Sequence, residues 1–104
     1  MGLKEAKCDV GEVKRNASVS HDYVFYNLGS EPLVINEVIT DCNCLQAKYT
    51  KEPVQPGESG EITLTVIGSR LQPGYFQRGA IVYSNANNNP MNLLIVGNSA
   101  PLKR

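Results

Sequence analysis

Apolar and polar residues alternate along several short stretches of this chain. Within Glu61 to Ile67, the apolar residues Ile62, Leu64 and Val66 alternate with acidic and threonine side chains. Successive side chains of a β-strand point to opposite faces, so this pattern predicts a strand with one buried and one exposed face. Similar stretches recur along the chain, and evidence for helix is almost absent. We predict seven strands: Cys8 to Val13, Val19 to Asn27, Leu33 to Ile39, Cys44 to Thr50, Glu61 to Ile67, Tyr75 to Ser84 and Met91 to Val96.

Turn signals separate the predicted strands at intervals of roughly ten residues. In Pro56-Gly57, the proline fixes its own φ and the glycine can supply a positive φ. The run Asn85 to Pro90 predicts the turn of a hairpin between the last two strands. Regular short strands between turns predict a sandwich or a barrel. The predicted core is Val19, Tyr23, Phe25, Leu33, Ile35, Val38, Ile62, Leu64, Val66, Phe76, Val82, Leu93 and Ile95.

The composition indicates one domain and excludes some classes of partner. The chain has 104 residues, 41% of them hydrophobic, with ten basic and ten acidic side chains and a formal net charge of zero. Nucleic acid is therefore not an expected partner, because phosphate binding needs a surplus of basic side chains on one face. Docking on an anionic membrane is not expected either, and no apolar run is long enough to span a bilayer.

Seven features, in this order and spacing, resemble a known family. They are His21 to Ile35, Cys42 to Cys44, Tyr49, Pro56 to Ile62, Gly74 to Phe76, Val82 to Asn85, and the closing residues Leu93, Ile95 and Gly97. Together they resemble the bacterial family called domain of unknown function 1573. The resemblance implies an all-β, immunoglobulin-like β-sandwich of about seven antiparallel strands, related to major-sperm-protein and PapD-type domains. It implies a single domain over residues 1–104 with its core at about residues 8–98.

The resemblance also implies a location, but it supplies no activity. Many members of the family are exported, often as lipoproteins, so we expect a periplasmic or cell-surface protein. From the resemblance we also expect the full protein to have a leader and, with it, a lipid anchor. In this chain no apolar leader precedes Cys8.

The family usually has Cys-Gly-Cys where this chain has Asn43 between its cysteines. Asparagine is the next best residue after glycine for a left-handed turn, so we expect that backbone shape to be retained.

Cys42 and Cys44, one residue apart at the end of a predicted strand, are the main candidates for chemistry. Their thiolates suit Cu(I) or Zn(II), although zinc normally takes four ligands and none of the other donors has matching spacing. A disulfide between them would close a very small ring, and the strain in it would raise its reduction potential. The alternative, which we favour, is that both are small, half-buried apolar residues.

Two other residues are weaker candidates. With Cys8 the chain has three cysteines, an odd number, so they cannot all pair in internal disulfides. A disulfide from Cys8 to Cys42 or to Cys44 remains an alternative. His21 is flanked by Ser20 and Asp22, whose side chains point to the face opposite its own. The three therefore do not form a catalytic triad, and we expect no enzyme activity and no cofactor.

The last two strands predict an apolar patch on the outside of the sandwich. If Phe76 and Leu93 point inward, then the opposite face of this hairpin carries apolar side chains that are exposed to solvent. The patch is Ile81, Tyr83, Leu94 and Val96, joined by Val34 of the third strand. Contiguous exposed apolar surface often marks an interface, although a loop or the tail after Gly97 could instead cover it.

Two functions of different classes follow from these observations. The first is a non-catalytic interaction or structural module that binds a protein partner, or a second copy of itself, through a sheet face or an exposed strand edge. The second is a copper, zinc or thiol-redox protein that uses Cys42 and Cys44. The neutral charge, the apolar outer face and the lack of a catalytic arrangement favour the first.

Overall fold

The computed structural model describes residues 2–86 and 90–99, which form eight strands. All seven predicted strands are present, and a two-residue strand precedes them. The strands are β1 (Gly2–Leu3), β2 (Lys7–Val13), β3 (Ser18–Tyr26), β4 (Ile35–Thr40), β5 (Leu45–Tyr49), β6 (Ser59–Ile67), β7 (Gly74–Ser84) and β8 (Met91–Ser99). A short 3-10 helix, Gly68–Arg70, connects β6 to β7.

The strands form two four-stranded sheets that pack face to face. The first sheet has the order β1-β3-β6-β5, and the second sheet has the order β2-β8-β7-β4. In the first sheet, β3 and β5 pair antiparallel on either side of β6. The chain crosses between sheets at the β4–β5 connection, which joins an edge strand of one sheet to an edge strand of the other. This two-layer arrangement confirms the predicted sandwich.

One pairing differs from the antiparallel arrangement that we predicted throughout. β2 runs parallel to β8, with Cys8 opposite Ile95, and the register shifts between Asp9 and Glu12. Gly11 lies in this irregular segment with φ +73°, a conformation that glycine adopts without steric cost. Nearly the whole chain separates β2 from β8, so no tight turn forces the two strands to run antiparallel.

The core lies between the two sheets and agrees closely with the prediction. Tyr23, Phe25 and Leu64 are among the largest side chains that are fully buried. Val19 and Val38 are the exceptions among the predicted core residues, because they are only partly buried against the cluster. The alternation missed core residues at strand ends and in connections. These are Val13, Cys44, Leu45, Val54 and Leu71.

The predicted turns are observed wherever the structure describes them. Gly57 has φ +82°, as expected for the turn before β6. Leu33 and Val54 exchange two backbone hydrogen bonds of 2.8 Å, which hold the segments before β4 and β6 together. β7 and β8 pair antiparallel as the predicted hairpin, although residues 87–89 of its connection lie outside the described residues.

Candidate functional site

The outer face of the second sheet carries an apolar groove. Ile39 of β4 lies directly opposite Ile81 of β7, and Gly79 of β7 lies opposite Leu94 of β8. Ile39 is 44% exposed and Ile81 is 37% exposed, so both sides of this cross-strand pair contact solvent. Leu94 is half-buried beside them.

Gly79 forms the floor of this groove because it has no side chain. The groove has a volume of about 290 Å³ and is lined by Ile39, Asp41, Ile81 and Leu94 around Gly79. We call it the Gly79 groove. A Cβ atom added at Gly79 would lie 3.5 Å from the Leu93 carbonyl oxygen and 3.6 Å from Asp41 Oδ2, which are ordinary van der Waals distances. The sheet therefore has room for a side chain here.

Asp41 closes the end of the groove on the β4 side and brings a negative charge to it. Its Oδ2 accepts a 3.1 Å hydrogen bond from the Gly79 backbone N–H, and its own N–H donates to the Gly79 carbonyl oxygen at 3.1 Å. Glu37 of the edge strand β4 and Asp41, the residue that follows β4, are exposed and flank Ile39 at alternate positions. Along this edge of the second sheet, the outer face therefore carries an acidic, an apolar and an acidic side chain in succession: Glu37, Ile39 and Asp41.

Only some of the residues predicted to form the apolar patch line the groove. Ile81 and Leu94 line the Gly79 groove, whereas Tyr83 is half-buried opposite Glu37 and lies outside it. Val34 is half-buried before β4, where its N–H donates to Asn85 Oδ1 at 2.9 Å, and it does not line the groove.

Val96 was predicted to be exposed in this patch, and that prediction is wrong. Its side chain is only 3% exposed. It lies in an inner strand, with Asp9 of β2 on one side and Gln77 of β7 on the other. Alternation along β8 predicts the face on which Val96 lies, but it does not report how far other side chains cover it.

The predicted apolar patch did not include Ile39 and Gly79. The signal for Ile39 was present, because Val38 was assigned to the core and its neighbour must then point outward. The register shift between Ile35 and Glu37 hid this signal, because it breaks the regular alternation of β4. Alternation along β7 puts Gly79 on the same face as Ile81. Only the register of β7 against β4 and β8 shows that apolar side chains surround it.

Cys42 and Cys44 are joined by a disulfide across the turn between β4 and β5. The sulfurs therefore offer no thiolate to copper or zinc, and the structure gives the metal hypothesis no support. Among the described residues, no group of three or more His, Cys, Asp or Glu side chains is placed to hold a metal ion. Cys8 is a free, half-buried thiol, so it forms no disulfide with Cys42 or Cys44.

The cysteine turn does not use a left-handed residue. No non-glycine residue in the described part of the chain has a positive φ, so Asn43 does not reproduce the left-handed shape that we expected. Instead, the Leu45 N–H donates to the Cys42 carbonyl oxygen at 3.1 Å. Arg70 Nη1 donates to the Asn43 carbonyl oxygen at 2.9 Å. One hydrogen bond therefore closes the turn, and the other holds its central residue.

His21 and its neighbours do not come together as a catalytic group. His21 Nε2 lies 2.8 Å from Glu5 Oε1. Ser20 and Asp22 instead bond to threonine hydroxyls of β6, at 2.8 Å and 2.6 Å. This separation agrees with the opposite strand faces assigned to them from the sequence.

The burial of Cys8 and of the nearby Tyr23 changes their acidity. Burial raises the pKa of the Cys8 thiol, and the negative charges of Glu5 and Asp9 raise it further. Burial likewise raises the pKa of Tyr23 far above its ordinary value of 10.0. Neither group is therefore prepared to act as an anion at neutral pH.

Comparison with known proteins gives the family and the fold. The family model described as Protein of unknown function (DUF1573) matches residues 1–99. This chain belongs to the DUF1573 family. The resemblance seen in the sequence is thus confirmed. No curated protein matches the chain.

Three solved structures share the architecture of this DUF1573 domain. A protein of unknown function from Porphyromonas gingivalis W83 superposes with TM-score 0.80 and 15% identity, over 93% of this chain and 46% of that chain. The ASH / PapD-like domain 7 of human CEP192 gives TM-score 0.70 and 6% identity, over 97% and 85%. SSP-19, an MSP-domain protein like family member in Caenorhabditis elegans, gives TM-score 0.58 and 15% identity, over 97% and 100%.

These likenesses establish an immunoglobulin-like fold of the PapD and major-sperm-protein type. The DUF1573 domain spans about half the length of the Porphyromonas gingivalis structure. At these identities, the comparisons carry the fold alone. Within the described residues, no helix has the length and apolar character needed to cross a membrane.

Proposed function

We propose that this DUF1573 domain is a non-catalytic protein-interaction module that binds a partner through the Gly79 groove. The observation that carries the proposal is the groove itself, where two exposed isoleucines and Leu94 surround a glycine floor on an open sheet face. Apolar patches bordered by polar residues mark protein interaction sites when they reach about a few hundred Å², so the partner must also contact the residues that surround this small groove. An apolar side chain seated on Gly79 would remove Ile39 and Ile81 from water, and this burial would stabilise the complex.

The charges beside the groove indicate the chemistry of the partner. Glu37 of β4 and Asp41 just after it flank Ile39. β4 is an edge strand whose second side has no partner strand in the described parts of the chain. An extended segment can add to such an edge through backbone hydrogen bonds. We expect its side chains to alternate as basic, apolar and basic, which would complement the acidic, apolar and acidic order of Glu37, Ile39 and Asp41.

The proposed location is the bacterial periplasm or the cell surface. Export is common in the DUF1573 family, and the Cys42–Cys44 disulfide supports it, because disulfides persist in oxidising compartments and are rare in the cytosol. A leader and a lipid anchor on the full protein belong to the same proposal. Export is tested by fractionating cells that produce the full-length protein: recovery in the envelope supports it, and recovery in the cytosol contradicts it.

A peptide-display selection against the purified domain tests the groove. We expect enriched peptides to carry an apolar residue flanked by Lys or Arg at alternate positions. Ile81→Glu should weaken their binding by roughly tenfold or more, because it places a charge on the apolar wall.

The matched control is Tyr26→Glu in β3 of the first sheet. Tyr26 is 38% exposed and Ile81 is 37% exposed, so the two changes add the same charge at equal exposure on opposite sheets. Equal weakening by both variants would contradict the groove as the binding site. Self-association that Ile81→Glu abolishes would identify a second copy, rather than a basic segment, as the occupant.

A further inference from the structure

We propose that the Cys42–Cys44 disulfide is a thiol–disulfide exchange site that oxidises a pair of thiols, with Cys42 Sγ as the sulfur that is attacked. This inference goes beyond the binding function and does not depend on it. It rests on three observations: the unequal burial of the two cysteines, the hydrogen bond to Cys42 Sγ, and the small span of the bond.

The two cysteines differ in their access to solvent. Cys42 is partly exposed, whereas Cys44 is 0% exposed and belongs to the core cluster. An incoming thiolate must approach the sulfur that it attacks along an open path. Cys42 packs against the core cluster but is only partly buried, whereas Cys44 is fully buried. Cys42 is therefore the more accessible of the two, and we assign it as the attacked cysteine and Cys44 as the resolving one.

A hydrogen bond prepares Cys42 to leave as a thiolate. The backbone N–H of Cys44 donates to Cys42 Sγ at 3.1 Å. The turn that holds this N–H in place is fixed by Arg70, which donates to the Asn43 carbonyl oxygen at 2.9 Å. A hydrogen bond to sulfur favours its charged form. The donor is already in place before any bond is broken, which is a form of preorganisation.

The bond contributes little to holding the fold together. It links residues only two positions apart, and the entropy that a disulfide removes from the unfolded chain falls as the enclosed loop shortens. The strands on either side are already held, since β4 pairs with β7 and β5 pairs with β6. A bond that is accessible and not needed by the sheets is of the labile rather than the structural kind.

The proposed reaction is a two-step exchange. A thiolate of the partner attacks Cys42 Sγ, a partner–Cys42 disulfide forms, and the Cys42–Cys44 bond breaks with its electron pair going to Cys44 Sγ, which takes up a proton. A second partner thiolate then attacks the partner sulfur, and Cys42 leaves as a thiolate. The partner dithiol is oxidised to a disulfide, and the domain gains two electrons and holds two reduced cysteines.

The test uses glutathione disulfide as the probe and compares two variants in a Cys8→Ser background, which removes the free thiol. Each variant is incubated with glutathione disulfide in the folded state, and the mixed disulfide is measured by mass spectrometry. We expect Cys44→Ser, which retains Cys42, to form it roughly tenfold faster or more than Cys42→Ser, which retains the buried Cys44. Equal rates in folded variants would overturn the assignment.

A measurement on the unmutated domain covers the case in which a variant does not fold. The protein is equilibrated with mixtures of reduced and oxidised glutathione, and its thiols are alkylated and counted. We expect Cys42 and Cys44 to convert together from disulfide to dithiol while the circular dichroism spectrum stays unchanged. If the pair stays oxidised at every ratio, or is reduced only when the sheet signal is lost, the bond is structural and the proposal fails.

Discussion

The hydroxyl of Tyr23 donates a 2.7 Å hydrogen bond to the carbonyl oxygen of Leu94. This bond connects β3 of the first sheet to β8 of the second, and Leu94 is also a wall of the Gly79 groove. The Tyr23 ring is fully buried and stands edge-on to His21, with 4.8 Å between ring centroids. The core thus supports the groove through a direct polar contact as well as through apolar packing.

Tyr23→Phe should destabilise the domain without changing its shape. The change removes only the hydroxyl, and the Leu94 carbonyl loses its bond to that hydroxyl. We expect a loss of about 1.5 kcal/mol in the free energy of unfolding, typical of a buried hydrogen bond whose acceptor is left behind. Urea unfolding measures this loss. A variant as stable as the unmutated domain would show that the bond contributes nothing.

The raised pKa of Tyr23 predicts loss of stability in alkali. Burial keeps its hydroxyl protonated in the folded state above its ordinary pKa of 10.0. The stabilisation is therefore intact below the unfolded-state pKa, and it is lost as the pH rises above that value toward the folded-state pKa, because only the unfolded chain releases the proton. Unfolding experiments from pH 8 to about pH 11 should show a steeper fall for the unmutated domain than for Tyr23→Phe. Identical slopes would contradict this assignment.

Asn27 should be the most sensitive polar residue of the core. Its side-chain Nδ2 donates to the carbonyl oxygens of Glu31 at 2.7 Å and Val54 at 2.8 Å. Asn27→Asp keeps the size of the side chain but turns an oxygen toward both carbonyls, so we expect a loss of roughly 3 kcal/mol. The control is Asn36→Asp, because Asn36 is exposed on β4. Thermal unfolding compares the two, and equal melting temperatures would be inconsistent with this role.

Gly60 leaves room for the ring of Phe25. The two residues are cross-strand partners in β6 and β3, and a Cβ at Gly60 would lie 2.5 Å from Phe25 Cζ. We expect Gly60→Ala to cost about 2 kcal/mol through overpacking. The double variant with Phe25→Leu should lose less than the sum of the two single variants, since the smaller side chain relieves the contact. Additive losses in urea unfolding would show that the contact is not the cause.

The alternation of residues predicted the layers of the fold better than their connections. Side chains such as Ile62, Leu64 and Val66 report which face of their own strand is buried, and these assignments are confirmed. They do not report which strand lies alongside. The parallel pairing of β2 with β8 and the enclosure of Val96 depend on neighbours that are distant in sequence.

The candidate sites could be predicted only in part for the same reason. Ile81 and Leu94 followed from hairpin geometry, but the groove also needs Ile39 from another strand and an empty position at Gly79. The spacing of Cys42 and Cys44 allowed a disulfide among other states, and burial of one partner was not visible in the motif. Asn27 looked like a turn residue, whereas one of its main partners, Val54, lies 27 positions away.

Chemical-shift mapping by NMR tests the central claim most directly. The domain is labelled with ¹⁵N and titrated with the most enriched basic–apolar–basic peptide from the display selection. We predict that the largest amide shifts fall on Ile39, Asp41, Gly79, Ile81 and Leu94, and that Gly79→Val, which fills the floor of the groove, removes them. Shifts centred on β3 and β6 of the first sheet, or unchanged in Gly79→Val, would contradict the proposed site.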